Sequence, residues 1–190
     1  MRDNAKAKIL RATERLLAKR GFAGVSLRDI ARAAKVSQPL IHHHFENKQL
    51  LFKAVQARIV EKFQHVAPPN DTPPEDLVSS LFTRLYELFR KDPTLVRILA
   101  WCHLEDDLAP WPGEESFIRD VVKHLSKAQT QGLAPASVHG ASLLVLAQAL
   151  AMTWWQFRDF YARFYDGQTR STPKHDAKFF KDALALLRTQ

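Results

Sequence analysis

Two stretches of helical apolar spacing, Leu27-Ile30-Ala31-Ala34 and Ile41-Phe45, are separated by only three residues, Lys35, Val36 and Ser37. Apolar side chains recurring at steps of three and four mark one face of a helix. A connection this short sets two helices nearly perpendicular, which is the helix-turn-helix arrangement. Ser26 opens the first helix, with Asp29 three residues on as a variant capping box. Ser37 caps the second, and Pro39 falls in its first turn, where no backbone donor is needed. With Ile41 and Phe45 turned inward, that first turn presents Gln38, Pro39 and Leu40, followed by His42 and His43. In such a pair this part of the second helix enters the major groove of DNA.

The rest of the chain also reads as helix, with no run of alternating apolar and polar residues. Ile9, Ala12, Leu16 and Leu17 make one face of a helix that Gly21 stops. A fourth helix starts near Asn47 or Lys48 and carries Leu51, Val55, Ile59 and Phe63. Four prolines within residues 67–74 mark a linker. Five further helices follow. The first holds Leu77, Leu81, Leu85, Leu88 and Phe89. The second begins at Pro93, capped by Asp92, and reaches about Glu105. After a loop from Asp106 to Gly113, the third covers about Glu114 to Gln131. The fourth, strongly apolar, covers about Ala136 to Tyr165. The last begins after Thr172-Pro173. The expected architecture is all-α with about nine helices. A reading head spans 1–48, helix 47–66 is the connector, and 67–190 forms a second domain.

Charge divides the chain in the same way. Residues 1–66 hold 14 Lys/Arg against 5 Asp/Glu, whereas residues 67–190 hold 14 against 15. All the excess positive charge lies in the part that carries the helix-turn-helix, as a polyanionic partner requires. The stretch from Lys127 to Arg158 has no charged residue between its ends, but Gly132, Pro135, His139 and Gly140 interrupt it. It reads as a helix buried in a core or subunit contact rather than in a bilayer. One cysteine, Cys102, excludes an intramolecular disulfide. No apolar signal-peptide core follows Met1, so a cytoplasmic location is expected.

Residues 9–55 resemble the DNA-binding domain of the tetracycline-repressor (TetR) family. The resemblance rests on Gly21-Phe22, on Val25-Ser26-Leu27-Arg28-Asp29-Ile30-Ala31, on Ala34-Lys35-Val36-Ser37 and on His44-Phe45-Glu46-Asn47-Lys48-Gln49-Leu50-Leu51. Three positions depart from the family pattern. Ala34 stands where a glycine often begins the turn, Pro39 replaces another frequent glycine, and His42 stands where a backbone-contacting tyrosine is usual. The resemblance implies that Ser26, His44 and Lys48 touch the DNA backbone. Arg28 would reach a guanine edge and Gln38 an adenine, while Pro39 or Leu40 suits a thymine methyl. Ser37, His42 and His43 complete the expected contact set. It also implies that the 67–190 domain is dimerising and ligand-responsive, with a homodimer through the last two helices and release of a palindromic operator by a small effector.

Other chemistry is not indicated. His42, His43 and His44 are consecutive, so they point about 100° apart and cannot chelate one ion from one helix. Cys102-His103 fails for the same reason. No phosphate loop, nucleophile elbow or assembled triad is present, so no catalytic residue, metal or cofactor is expected. The aromatic density of the second part is the remaining signal. Trp101, His103, Trp111, Trp154, Trp155, Gln156, Phe157 and Tyr161 are the candidate lining of an effector pocket for a small, mostly apolar molecule. The competing reading of these residues is core and dimer contact. The rival reading of the whole is an interaction or enzyme module whose basic helices contact RNA or anionic lipid.

Overall fold

The computed structural model describes residues 2–69, 72–73, 76–105, 109–130 and 138–188. Among them are nine α-helices and no strand. They are α1 (Arg2–Arg20), α2 (Leu27–Ala34), α3 (Gln38–Phe45), α4 (Lys48–Gln64), α5 (Leu77–Lys91), α6 (Pro93–Leu104), α7 (Glu114–Thr130), α8 (Gly140–Asp166) and α9 (Pro173–Arg188). Parts of the 67–74 linker, of the loop after α6 and of residues 131–137 lie outside the described residues. The helices gather into two compact units, Met1–Lys62 with Thr94–Glu115, and Phe63–Pro93 with Ser116–Gln190.

In the first unit the expected apolar faces meet. Ile9, Ala12 and Leu17 of α1, Ile30 of α2, Ile41 and Phe45 of α3, and Leu51, Val55 and Ile59 of α4 are all buried. One charge is buried with them. Glu14 of α1 pairs with Arg58 and Lys62 of α4, each at 3.0 Å. A carboxylate out of water needs such partners, and two cations on successive turns of α4 supply them.

Thr94–Glu115 clusters with the head, although it lies beyond the connector in sequence. The reason is a polar stripe at steps of four that runs along α6 and onto Glu105, the residue after it. Arg97 Nε and Trp101 Nε1 both donate to the Ala18 carbonyl, at 2.8 and 3.3 Å. Phe22 and Ala23 donate their backbone N–H groups to the Glu105 carboxylate, at 2.8 and 3.2 Å. Unsatisfied groups at the end of α1 are thus answered by α6. Gly21 sits between them at φ +72°, and a Cβ there would lie 2.2 Å from Glu105 Oε1 and 2.8 Å from Trp101 Cε3.

In the second unit α5 packs along α8, and α9 lies against both. Leu81, Phe82, Leu85 and Phe89 of α5 are buried, as are Ala147, Ala151 and Trp154 of α8. The described part of α8 begins at Gly140 rather than near Ala136. His139 stands before it in extended conformation, and its ring accepts the Ala141 N–H. A histidine in the role usually taken by Ser, Thr, Asp or Asn is not a start signal that sequence rules contain. Among the described residues, no helix is long and apolar enough to cross a membrane.

The corner between α8 and α9 is held by four polar side chains, those of Asp159, Ser171, His175 and Asp166. Asp159 accepts from both the backbone and the hydroxyl of Ser171, each at 2.8 Å. Buried His175 accepts the Thr172 N–H on Nδ1, which leaves its Nε2 hydrogen for Asp166 at 2.9 Å. The hydrogen bond from His175 holds the Asp166 carboxyl below the usual range, and the backbone and hydroxyl of Ser171 do the same for Asp159. A carboxylate with a depressed folded pKa stabilises above its unfolded value, near pH 4, and that stability is lost as pH falls through the folded value. The corner is therefore expected to loosen below about pH 4. Hydrogen-exchange protection of residues 168–175 should fall with acid there, and Asp159→Asn with Asp166→Asn should flatten the dependence. Identical profiles in wild type and double variant would exclude this account.

Candidate nucleic-acid interface

The starts of α2, α3 and α4 are each closed by a side chain. Ser26 Oγ accepts the Asp29 N–H at 3.2 Å, and the Ser26 N–H donates to Asp29 Oδ2 at 3.2 Å, so both halves of the capping box form. The Ser26 hydroxyl, then its backbone N–H, hold the Asp29 carboxyl below the usual range. Ser37 Oγ accepts the Leu40 N–H at 3.4 Å, and Asn47 Oδ1 accepts the Leu50 N–H at 2.9 Å. These caps fix where α2, α3 and α4 begin.

The turn between α2 and α3 is closed by Lys35 at φ 55°, ψ 48°, one residue after Ala34. Val36 donates to the Ala31 carbonyl at 3.1 Å. A non-glycine residue in this left-handed region costs roughly 1 kcal/mol. Glycine is thus absent both from the position where the family often has it and from the left-handed one. At the other end of α3, Glu46 also has positive φ. His42 Nδ1 donates to the Glu46 carbonyl at 2.8 Å, which ties that ring to the turn and leaves Nε2 as its remaining polar atom.

Ile41 and Phe45 are buried, whereas Gln38, Pro39, His42 and His43 are exposed and Leu40 and His44 are half-buried. The first turn of α3 thus faces outward, as the apolar pattern requires. Arg28 of α2 is exposed, and Lys48 opens α4 with its ammonium 5.1 Å from the Phe52 ring centre. Phe52 in turn meets Phe22 edge-on at 5.5 Å, which braces α4 against the turn after α1. Ser26, Arg28, Ser37, Gln38, Pro39, Leu40, His42, His43, His44 and Lys48 therefore lie on one contiguous stretch of capped helices in the head. Among the described residues, no group of three or more His, Cys, Asp or Glu gathers as a metal site.

The aromatic candidates of the second part are divided between the two units. Trp101, His103 and Trp111 belong to the first unit, and the residues from Trp154 to Tyr161 belong to the second. Trp101 serves the polar stripe, His103 is exposed, and Trp111 is buried with its backbone N–H donated to the Glu114 carboxylate. Trp154 stacks on Phe179 at 4.4 Å and donates Nε1 to Asp176 at 3.0 Å. It shares with Tyr161 an open apolar groove of about 780 Å³, together with Leu146, Leu150, Phe160 and Phe164. Trp155 lines a different cavity, and Gln156 and Phe157 are exposed and line neither. The polar residues of that other cavity, Tyr86, Glu87, Arg90, Arg158 and Asp176, were not singled out by sequence. Nothing in periodicity announces which surface charges converge.

A basic head with a short capped reading helix, joined to an all-helical second unit, defines a helix-turn-helix regulator of transcription. Residues 9–55 match the family described as bacterial regulatory proteins, tetR family, and residues 76–180 match the tetracyclin repressor-like C-terminal domain. The chain belongs to the TetR family. It is 29% identical over 153 residues to the HTH-type transcriptional repressor SCO4008 of Streptomyces coelicolor, covering 78% of this chain and 77% of that one. It is 37% identical over 79 residues to the HTH-type transcriptional regulator TtgR of Pseudomonas putida, covering 42% and 37%. Among solved structures, the putative transcriptional regulator SCO4942 of Streptomyces coelicolor has the same fold. Its TM-score is 0.78 at 23% identity, over 96% of this chain and 97% of that one.

Proposed function

We propose that the protein is a cytoplasmic repressor that holds a palindromic operator as a homodimer and leaves it when a small, mostly apolar effector binds the second unit. The observation that supports this reading best is the outward first turn of α3, carrying Gln38, Pro39 and Leu40 beside exposed Arg28 in the basic part of the chain. One short helix covers few base pairs, so paired heads one DNA turn apart supply the specificity. The effector acts only through its different affinity for the operator-competent and released conformations.

The subunit contact in this reading is the apolar face of α8 and α9. Val145, Leu146, Phe157, Phe160 and Phe164 of α8 and Leu186 of α9 are exposed there. Apolar surface gathered this way marks an association site.

Selection of bound duplexes from a random pool tests the reading. A single palindrome supports it, whereas uniform retention of any polyanion, RNA or anionic vesicles included, favours the rival reading. On the selected operator, Gln38→Ala is expected to cost about 1–3 kcal/mol at one base position and relax the preference there. Lys48→Ala should weaken every sequence alike and reduce the salt slope by about one per half-site. Equal loss on cognate and random duplexes for Gln38→Ala would mean that α3 does not read bases.

A further inference from the structure

A cavity of about 580 Å³ opens among α5, α8 and α9, on a face of α8 away from the apolar groove. At about 100° per residue, Phe164 falls opposite Trp155 around the helix, so a partner seated on the groove leaves this cavity free. Its walls are flat and apolar, made by Trp155, Phe180, Pro93 and Pro173 with the ring of Tyr86. Its size suits a molecule of one or two rings.

The walls are built on a satisfied polar hub. Tyr86 donates its hydroxyl to the Asp176 carbonyl at 3.0 Å, and Trp155 Nε1 donates to the Tyr86 carbonyl at 3.0 Å. The Asp176 carboxylate accepts from Trp154 Nε1 at 3.0 Å and from Arg158 Nη1 at 2.9 Å. Glu87 accepts from Arg90 Nε and Nη2, at 3.0 and 2.7 Å. Both carboxylates at the cavity are thus answered. Each guanidinium carries five N–H donors. Among the described residues, Arg90 Nη1 and Arg158 Nε and Nη2 have no acceptor. The polar capacity left unspent is cationic. A cationic ligand would meet like charge at Trp155, since the Arg158 guanidinium lies 4.8 Å from that ring's centre.

We propose that this cleft is the effector site and that its ligand is a flat aromatic monocarboxylate. The ring lies among Trp155, Phe180 and the two prolines, and the carboxylate takes the open edges of Arg158 and Arg90, whose planar forks suit it. The regulatory part of this assignment rests on the effector-release reading above; the binding part does not. Pro93 joins the two, because it lines the cleft and is also the first residue of α6. Later turns of the same helix carry Arg97 and Trp101, and Glu105 follows its last residue; all three hold the end of α1.

The test is titration calorimetry of the full chain with benzoate, 4-chlorobenzoate and 2-naphthoate, each against its neutral carboxamide. At least one acid is expected to bind, and its amide at least about tenfold more weakly, the value of a charge-assisted pair. Ala177 is an exposed α9 residue lining the cleft, so Ala177→Trp should fill it without disturbing the core and lower acid affinity at least about tenfold. Arg158→Gln should erase the preference for acid over amide. Equal binding of acid and amide, wild-type affinity in Ala177→Trp, or no binding by any acid at millimolar concentration would overturn the assignment. Operator binding with the bound acid separates the two readings. Acid binding that Ala177→Trp abolishes, with operator affinity unmoved, keeps the binding site and sinks its role in effector release. Release by another ligand that Ala177→Trp does not affect keeps effector release and sinks the site.

Discussion

Phe164→Glu is expected to turn the protein into monomers and to weaken operator binding by about 100-fold or more. Phe164 is 75% exposed on α8, flanked by Leu146, Phe160 and Tyr161 in the open groove. Such a row of large apolar side chains left to water is costly unless another surface covers it. In a twofold contact the residue meets the same patch on the partner, so one substitution places two carboxylates in the seam. Their desolvation has no cation in the groove to offset it. Each freed head then binds its half-site alone and loses the high effective concentration that linkage supplies. Because the side chain is exposed in the isolated chain, the melting curve of the monomer should retain a cooperative transition. Sedimentation as a dimer with unchanged operator affinity would place the subunit contact elsewhere.

Gly21→Ala is expected to destabilise the first unit by about 3 kcal/mol. Two effects add. The backbone at φ +72° disfavours any side chain, and the new methyl meets Glu105 and Trp101 at 2.2 and 2.8 Å. The Glu105 carboxylate can swing away only by abandoning the N–H groups of Phe22 and Ala23. The indole can retreat only by leaving the Ala18 carbonyl. The check is a double-mutant cycle by chemical denaturation. Glu105→Ala removes the nearest atom, so Gly21→Ala should cost markedly less in that background. Equal cost in both backgrounds would exclude the Glu105 contact and leave the backbone conformation and Trp101 as the cause.

Much of the head was legible because its signals are local. Ser26 with Asp29, Ser37 and the inward pair Ile41 and Phe45 each act within four residues, and the structure realises them as read. Gly21 was legible only in half. Its role as a helix stop is a neighbour effect, but its second role depends on Glu105, more than 80 residues away. The same limit explains Glu14, an ordinary surface residue by pattern, which is buried against Arg58 and Lys62. In the second unit, aromatic density indicated that large rings matter without saying which of them share a cavity. Trp154 and Trp155 are adjacent in sequence yet line different cavities, because successive helical positions point about 100° apart.

The division of labour in the head bears on how such a regulator can diverge. Ser26, Ser37 and Asn47 are occupied in closing helices, and His42 in closing a turn. Arg28 and Gln38 make no hydrogen bond or ion pair to the rest of the described chain. Their side chains carry no structural duty, so drift at these two positions leaves folding untouched. If Arg28 and Gln38 read bases as proposed, a duplicated copy of the gene can acquire a new operator by changes at positions 28 and 38 while inheriting its scaffold intact. On the same reading, changes at 26 or 37 alter both properties at once and have to be compensated before they spread.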